Sequence, residues 1–330
     1  SLESDMPTRK LPRQICSRPF GEDQLSVIRQ IIDEADSLSI TRSEIARRVC
    51  KALDWRNMQG GLKEMGARVA LLKLHRGGWV KLPAPTHSNS NGRDTNRLEN
   101  APIPLPPATE IHCSLQALGK VQLQVVVTRE ESLLWDGMVD RYHYLGHTPL
   151  SGAQIRYLIY SEKIGLVGAI GFGAAAFSLK ARDQWIGWDR EQCNLRRELI
   201  LNNRRFLILP WIRVPNLASH ILSLASQQVQ HDFEIRYGYR PLLLETFVDC
   251  ERFNGGCYRA ANWIDVGLTS GRGRNDRTRQ RERTRNGPPL PVKQIWLYPL
   301  HRKAQQRLTA VIEPQHQQKI SQGNPLEVAV

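Results

Sequence analysis

No stretch of eighteen apolar residues occurs in this chain, and its start, SLESDMPTRKLPRQ, has no apolar middle, so neither a spanning helix nor secretion is expected. The expected compartment is the cytoplasm. Cysteine is sparse and scattered: Cys16, Cys50, Cys113, Cys193, Cys250 and Cys257 include no CxxC pair and no His at zinc-ligand spacing. Reduced thiols are therefore expected in place of structural zinc, and a Cys250–Cys257 bond across a hairpin is not expected in a reducing compartment. Three familiar chemistries are also missing. There is no Walker A sequence, no GxSxG elbow and no GxGxxG turn, the nearest stretch, GAIGFGAAA, lying inside an apolar run at the wrong spacing. The last deficit is in negative charge. Against 46 Lys and Arg stand 32 Asp and Glu, a formal net charge of +14. Such an excess calls for an anionic partner, and a polyphosphate backbone fits best because each cation that neutralises a phosphate releases a counterion. An acidic membrane surface is the competing partner, but no basic amphipathic helix with an aromatic face stands out.

What is present reads as two folded units, an α/β chain with an α-rich beginning. After a leader, residues 1–21, the segment 22–82 shows helical spacing three times. Leu25, Ile28, Ile31 and Ile32 share one face; Thr41 with Glu44 has the capping-box pattern ahead of Ile45, Val49 and Leu53; a third helix over Lys63–His75 carries Val69 and Leu72. Gly77-Gly78 ends it before a short strand in WVKLP. This order predicts a winged-helix-like unit whose third helix faces DNA with Lys63 and Arg68, Arg56 lying just before it. A plain helical bundle with a solvated charged face is the alternative. Residues 83–109 are polar, then proline-rich, and read as a linker; 110–300 form a second, mixed-sheet domain, and 301–330 a polar tail. In the second domain VQLQVVV, RYLIYSE, LVGAIGFGAAAF, RRFLILP and PLLLETFVD read as strands. LASHILSLASQQVQHDF reads as a helix linking the last two in a β-α-β unit.

Candidate chemistry concentrates late in the chain. Glu245 and Asp249, four apart in a strand, share a face, and carboxylates at a strand end hold Mg²⁺ or act as a general base. Equally, they pair with Arg252 or Arg259. After the turn Asn254-Gly255-Gly256 come Tyr258, a candidate proton donor, and Asn262, a candidate for orienting a polar substrate atom; aromatic packing and a turn-forming Asn are the plainer roles. Tyr144, in RYHYLG, is a candidate for stacking on a base, whereas His143 and His147 at that spacing outside a helix are a weak metal signal. No metal site is assigned. Within the loop 271–287, Arg272, Arg274, Arg277, Arg279, Arg281, Arg283 and Arg285 face only Asp276 and Glu282, a composition suited to gripping phosphates.

The blocks YHYLG, GFGAAAFSLKARDQWIGWD, RRFLILPWIRVPNLASHIL, LLLETFVD and CYRAANWIDVGLTSGRGR, with SITRSEIARRVCKALDWRN and LHRGGWVKLP upstream, together resemble the Druantia antiphage defence family DruA. The resemblance implies antiviral defence, with other defence-system proteins as partners and a distant link to transposase-like proteins. The later blocks also resemble GCN5-related acyltransferases, Mom-type DNA-base-modifying enzymes above all, which implies an acyltransferase-like fold with Asp249 and Tyr258 at the site. Those enzymes cradle a cofactor pyrophosphate with a glycine-rich turn. The corresponding stretch here, Val214-Pro215-Asn216-Leu217-Ala218-Ser219, has no glycine, and the cofactor is left unassigned. Three functions stay open: an enzyme that modifies or cleaves DNA, a non-catalytic DNA-recognition subunit, and a transposition- or RNA-associated accessory protein.

Overall fold

The computed structural model describes residues 11–15, 18–37, 40–56, 60–84, 98, 101–150, 152–270 and 291–310. The chain opens with a two-residue hairpin, β1 (Gln14–Ile15) and β2 (Arg18–Pro19), followed by α1 (Glu22–Ser37), α2 (Arg42–Ala52) and α3 (Glu64–Arg76). Leu25, Ile28 and Ile32 of α1 meet Ile45 and Val49 of α2 and Leu71 and Leu74 of α3 in one core. The amide of Glu44 donates to Thr41 Oγ1 at the start of α2, which is half of a capping box. The Glu44 carboxylate turns instead to Arg47 and Arg48.

Two expectations for this unit need correction. The buried face of α3 is Ala67, Ala70, Leu71 and Leu74, while Val69 is 64% exposed. Small residues let α3 approach α2 closely, and that approach outweighs the larger aliphatic side chain. The strand after Gly77-Gly78 does not form: Trp79 lies in a bend, and Val80–Leu82 has no ladder partner among the described residues. Val80 and Leu82 are nonetheless buried, and the Leu82 amide donates to His75 Nδ1 at 3.3 Å. Pro83 follows at once, and a proline cannot donate to a ladder. The isolated bridge in this unit joins Arg56 to Leu62, ahead of α3.

The second unit contains β3 (Ile111–His112), β4 (Val121–Val125), α4 (Arg129–Tyr142), β5 (Ile155–Ser161), β6 (Gly165–Ala174), α5 (Lys180–Ile186), α6 (Arg190–Arg196), β7 (Ile200–Ile208), β8 (Ile212–Arg213), α7 (Leu217–Tyr237), β9 (Leu243–Asp249), α8 (Gly256–Ala260), β10 (Ile264–Leu268), β11 (Lys293–Pro299) and α9 (Ala304–Thr309). Seven strands form one mixed sheet in the order β10-β11-β9-β7-β6-β5-β4. Neighbours are antiparallel except β7 and β9, which run parallel and are joined by α7, the β-α-β unit expected. Alternation sorts the central strands onto two cores: Leu201, Leu244 and Trp296 join the cluster containing α4 and α7, whereas Ile200, Leu243, Ile295 and Leu297 join that of α5, α6 and α9. Glycines in β6 permit close packing. A Cβ on Gly168 would sit 2.2 Å from the Leu207 carbonyl oxygen, and one on Gly171 would sit 2.7 Å from the ring of Trp135.

The parallel register runs from Ile200↔Leu243 to Asn203↔Thr246 and stops, although β7 continues to Ile208 and β9 to Asp249. At the same place the β6–β7 register passes from Asn203 to Arg205, skipping Arg204. A bulge bends its strand and increases local twist. The two parallel strands therefore part beyond Asn203 and Thr246, leaving a fork.

Candidate active site at the strand fork

At the apex of the fork Asn203 ties both strands and α8 together. Its Nδ2 donates to the carbonyls of Gly171 and Arg205, each at 3.2 Å, and its Oδ1 accepts from the Tyr258 hydroxyl at 2.9 Å. Thr246 Oγ1 donates to the Asn203 carbonyl at 3.1 Å. Tyr258 reaches this point because the turn before α8 holds Gly255 at φ 69°, where an added Cβ would be 2.7 Å from Trp296. Burial raises the phenol pKa well above its ordinary range, so Tyr258 is a fixed neutral donor at physiological pH. Tyr258→Phe strands a buried carbonyl-type acceptor and should cost about 1–3 kcal/mol in a denaturant melt. An unchanged midpoint would mean that Asn203 needs no donor there.

The outer lip is formed where β9 ends and where the chain leaves α4. Asp249 is 6% exposed; Oδ1 accepts from the Glu251 amide at 3.1 Å, and Oδ2 lies 3.9 Å from Arg252 Nε. Across from it, Tyr144 stacks on His143 with centroids 4.9 Å apart and meets Phe253 edge-on at 5.4 Å. The Arg252 guanidinium lies 5.2 Å from the Tyr144 ring centre. Burial, and then the negative charge of Asp249, raise the Tyr144 pKa. Burial, and then the charge of Arg205, push His143 down to about 4, so its ring is neutral at pH 7. Arg205 is anchored through Nε to the Gly146 carbonyl at 3.0 Å and through Nη1 to that of Arg204 at 2.8 Å. Its pKa is lowered by burial first and by Arg204 second.

Asp249 and Tyr144 are thus brought together, while Tyr258 lies deeper, committed to Asn203. The other two candidates have structural surroundings. Glu245 does share the Asp249 face of β9, but it is fully buried and saturated: it accepts from the Ala176 amide at 2.7 Å, from Asn202 Nδ2 at 3.0 Å and from Arg182 Nη1 at 2.8 Å. Its partner is therefore Arg182 of α5, not Arg252 or Arg259. Asn262 is exposed and adopts φ 61° where α8 turns into β10, a conformation Asn tolerates better than most residues. Sequence reasoning missed Asn203, Thr246 and Arg205. The visible signal was NNRR, four polar residues in the middle of the otherwise apolar strand ILNNRRFLI.

Among the basic candidates, Arg56 binds Asp54 Oδ1 at 2.7 Å and the Gly60 carbonyl at 2.8 Å, and Lys63 Nζ lies 3.6 Å from Glu198. Arg68 donates to Ser43 Oγ. Arg272, Arg274, Arg277, Arg279, Arg281, Arg283 and Arg285 lie outside the described residues. His147 pairs with Asp136 at 3.2 Å, beside Arg156, and does not turn toward a common ligand with His143. Among the described residues no group of three or more His, Cys, Asp or Glu side chains could hold a metal ion, and the five described cysteines are free thiols. The N-cap of α7, in the stretch that corresponds to the acyltransferases' glycine-rich turn, is Asn216 at φ 63° with no side-chain cap. No helix among the described residues is long and apolar enough to cross a membrane.

The fold defines a mixed α/β protein with an N-terminal helical unit and a forked seven-stranded sheet. Its family follows from the sequence blocks carried on that sheet: residues 73–281, more than half of the chain, match the family described as Druantia protein DruA, and the chain belongs to that family. It is thereby a component of Druantia antiphage defence. No curated protein matches it. Solved structures similar to it include spermidine N-acetyltransferase from Vibrio cholerae in complex with CoA and spermine, at 10% identity and TM-score 0.34, covering 53% of this chain and 94% of that one. A chimera of the Vibrio cholerae spermidine N-acetyltransferase SpeG is similar at 11% identity and TM-score 0.34, covering 55% and 95%. At these values the similarity carries no functional argument.

Proposed function

We propose that this protein is the nucleic-acid-holding component of its Druantia system, with DNA as the partner, working in the cytoplasm beside other proteins of the system. The observation that carries the reading is the lip of the fork, where Tyr144 and Phe253, 39% and 51% exposed, stand with Arg252 beside a single carboxylate, in a chain of net charge +14. An aromatic surface flanked by guanidinium suits an unstacked base, and a carboxylate beside it can accept from an exocyclic amine. The arginines between Arg272 and Arg285 supply phosphate contacts in this reading. Replacing Arg272, Arg274, Arg277 and Arg279 with Ala should weaken DNA binding almost equally across sequences and reduce the salt slope by roughly 0.9 for each phosphate no longer neutralised. Unchanged affinity and slope would make that segment a solvated loop.

A second reading, chemistry on the bound DNA, is favoured by Asp249. Unlike saturated Glu245, it keeps capacity to take a proton from a bound substrate. The reaction would be acyl or other modification of a base, or phosphodiester cleavage supported by Mg²⁺. Incubating the purified protein with phage DNA, in one arm with Mg²⁺ and in another with acyl-CoA donors, and reading strand breaks and base mass separates binder from enzyme.

A further inference from the structure

We infer that a second phosphate-binding site, apart from the fork, lies on the surface where Phe177 meets Arg190 and Arg197, and that it takes a phosphate of the same nucleic acid. The proposal rests on the nucleic-acid reading above. Phe177, in the link between β6 and α5, is 51% exposed, an unusual position for a phenylalanine. What holds it is charge. The Arg197 guanidinium lies 4.4 Å from the ring centre and that of Arg190 lies 5.0 Å from it. The two arginines begin and follow α6, seven residues apart, so two helical turns put them on one face, above the same ring. Stacking on an aromatic ring fixes a guanidinium and leaves its N–H edge for an oxyanion.

Three nearby carboxylates are committed elsewhere, and the fourth, Glu191 of α6, is exposed and forms no ion pair with either arginine among the described residues. Asp183 pairs with Arg182 at 2.8 Å, Asp189 caps α6 by accepting from the Gln192 amide at 2.7 Å, and Glu198 lies beside Lys63. Arg182, buried underneath, is neutralised by Glu245 and Asp183. Among the described residues neither Arg190 nor Arg197 takes part in an ion pair, which leaves two uncompensated positive charges on one ring. Nη1 of Arg197 is in addition a buried nitrogen without a hydrogen-bond partner. A buried donor left unmade is costly. Two guanidinium groups held on one half-exposed ring present their accessible N–H edges to a phosphate, while Arg197 Nη1 stays buried beneath.

The test uses the full chain and a short single strand carrying either a 5′-phosphate or a 5′-hydroxyl, titrated over a salt series. Arg190→Gln with Arg197→Gln should bind about tenfold more weakly at low salt, and with one phosphate unneutralised the slope of log affinity against log salt should flatten by roughly 0.7. Phe177→Leu, which removes the brace and keeps the bulk, should reproduce part of the loss. Arg190→Gln alone, on an exposed residue, should carry about half of the slope change and keeps the test valid if the double variant melts early. A loss confined to the 5′-phosphorylated strand assigns the site to a strand end, an equal loss to internal phosphates, and both support the proposal. Wild-type binding matched by all three variants overturns it and leaves the nucleic-acid reading standing. A wild-type chain that holds neither strand removes that reading and this site's assignment together. Tighter capture of a phosphopeptide than of either strand, abolished in the double variant, gives the site to a protein partner and overturns the nucleic-acid assignment.

Discussion

Glu245→Ala should destabilise the second unit by about 3–5 kcal/mol, because it leaves the Arg182 guanidinium buried without its main counter-charge. Arg182 and Glu245 are both inaccessible to solvent, and they close a network with the Ala176 amide and carbonyl and with Asn202. Three segments far apart in the chain, β9, β7 and the entry to α5, meet at that carboxylate. Removing it deletes the acceptor of three donors, the Ala176 amide, Asn202 Nδ2 and Arg182 Nη1. The cost is mainly that of the stranded charge, so Arg182→Met combined with Glu245→Leu should recover most of the stability. Denaturant midpoints of the full-length variants read both effects. A single Glu245→Ala variant as stable as the parent would make the network incidental to the fold.

Asp249→Asn is expected to do the reverse: to leave stability within about 1 kcal/mol of the parent while abolishing protection against phage. Asn keeps the shape and still accepts the Glu251 amide bond. The attraction to Arg252, acting over 3.9 Å on a largely exposed side chain, is weak and its removal costs little. What disappears is the negative charge at the lip beside Tyr144. If the carboxylate serves as a general base, the turnover of bound DNA should fall by about 10²–10⁴ with affinity nearly retained. Full protection by the variant would remove Asp249 from the function, and unfolding would assign it to a structural pair.

Periodicity carried much of the architecture. The three N-terminal helices, the β5–β6 hairpin and the β7-α7-β9 crossover are set by local patterns that the sequence displays directly, apolar stripes three or four apart and short β-branched runs. What escaped depends on distant partners. The segment after α3 has strand composition but pairs with no strand among the described residues. Strand β11, KQIWLYP, lies beyond the arginine-rich stretch, and the chain returns with it to pair with β9. The fork arises from the skip at Arg204, and no composition rule marks a bulge in advance. For the site, the same logic separates the carboxylates. Glu245 and Asp249 look alike in LLLETFVD, yet only the fold supplies Arg182, 63 residues away in the chain, to Glu245. Nor does CYRAANW reveal that Tyr258 is buried under Asn203 and that Asn262 sits at a left-handed turn.

The central claim, that this Druantia component holds DNA, is tested most directly by titrating the purified full-length chain against duplex DNA, single-stranded DNA and RNA of one sequence at matched salt. Binding to DNA ahead of RNA is expected, with log affinity falling linearly as log salt rises, as phosphate contacts by a chain of net charge +14 require. Affinity that ignores salt, preference for RNA, or no binding to any of the three would contradict it.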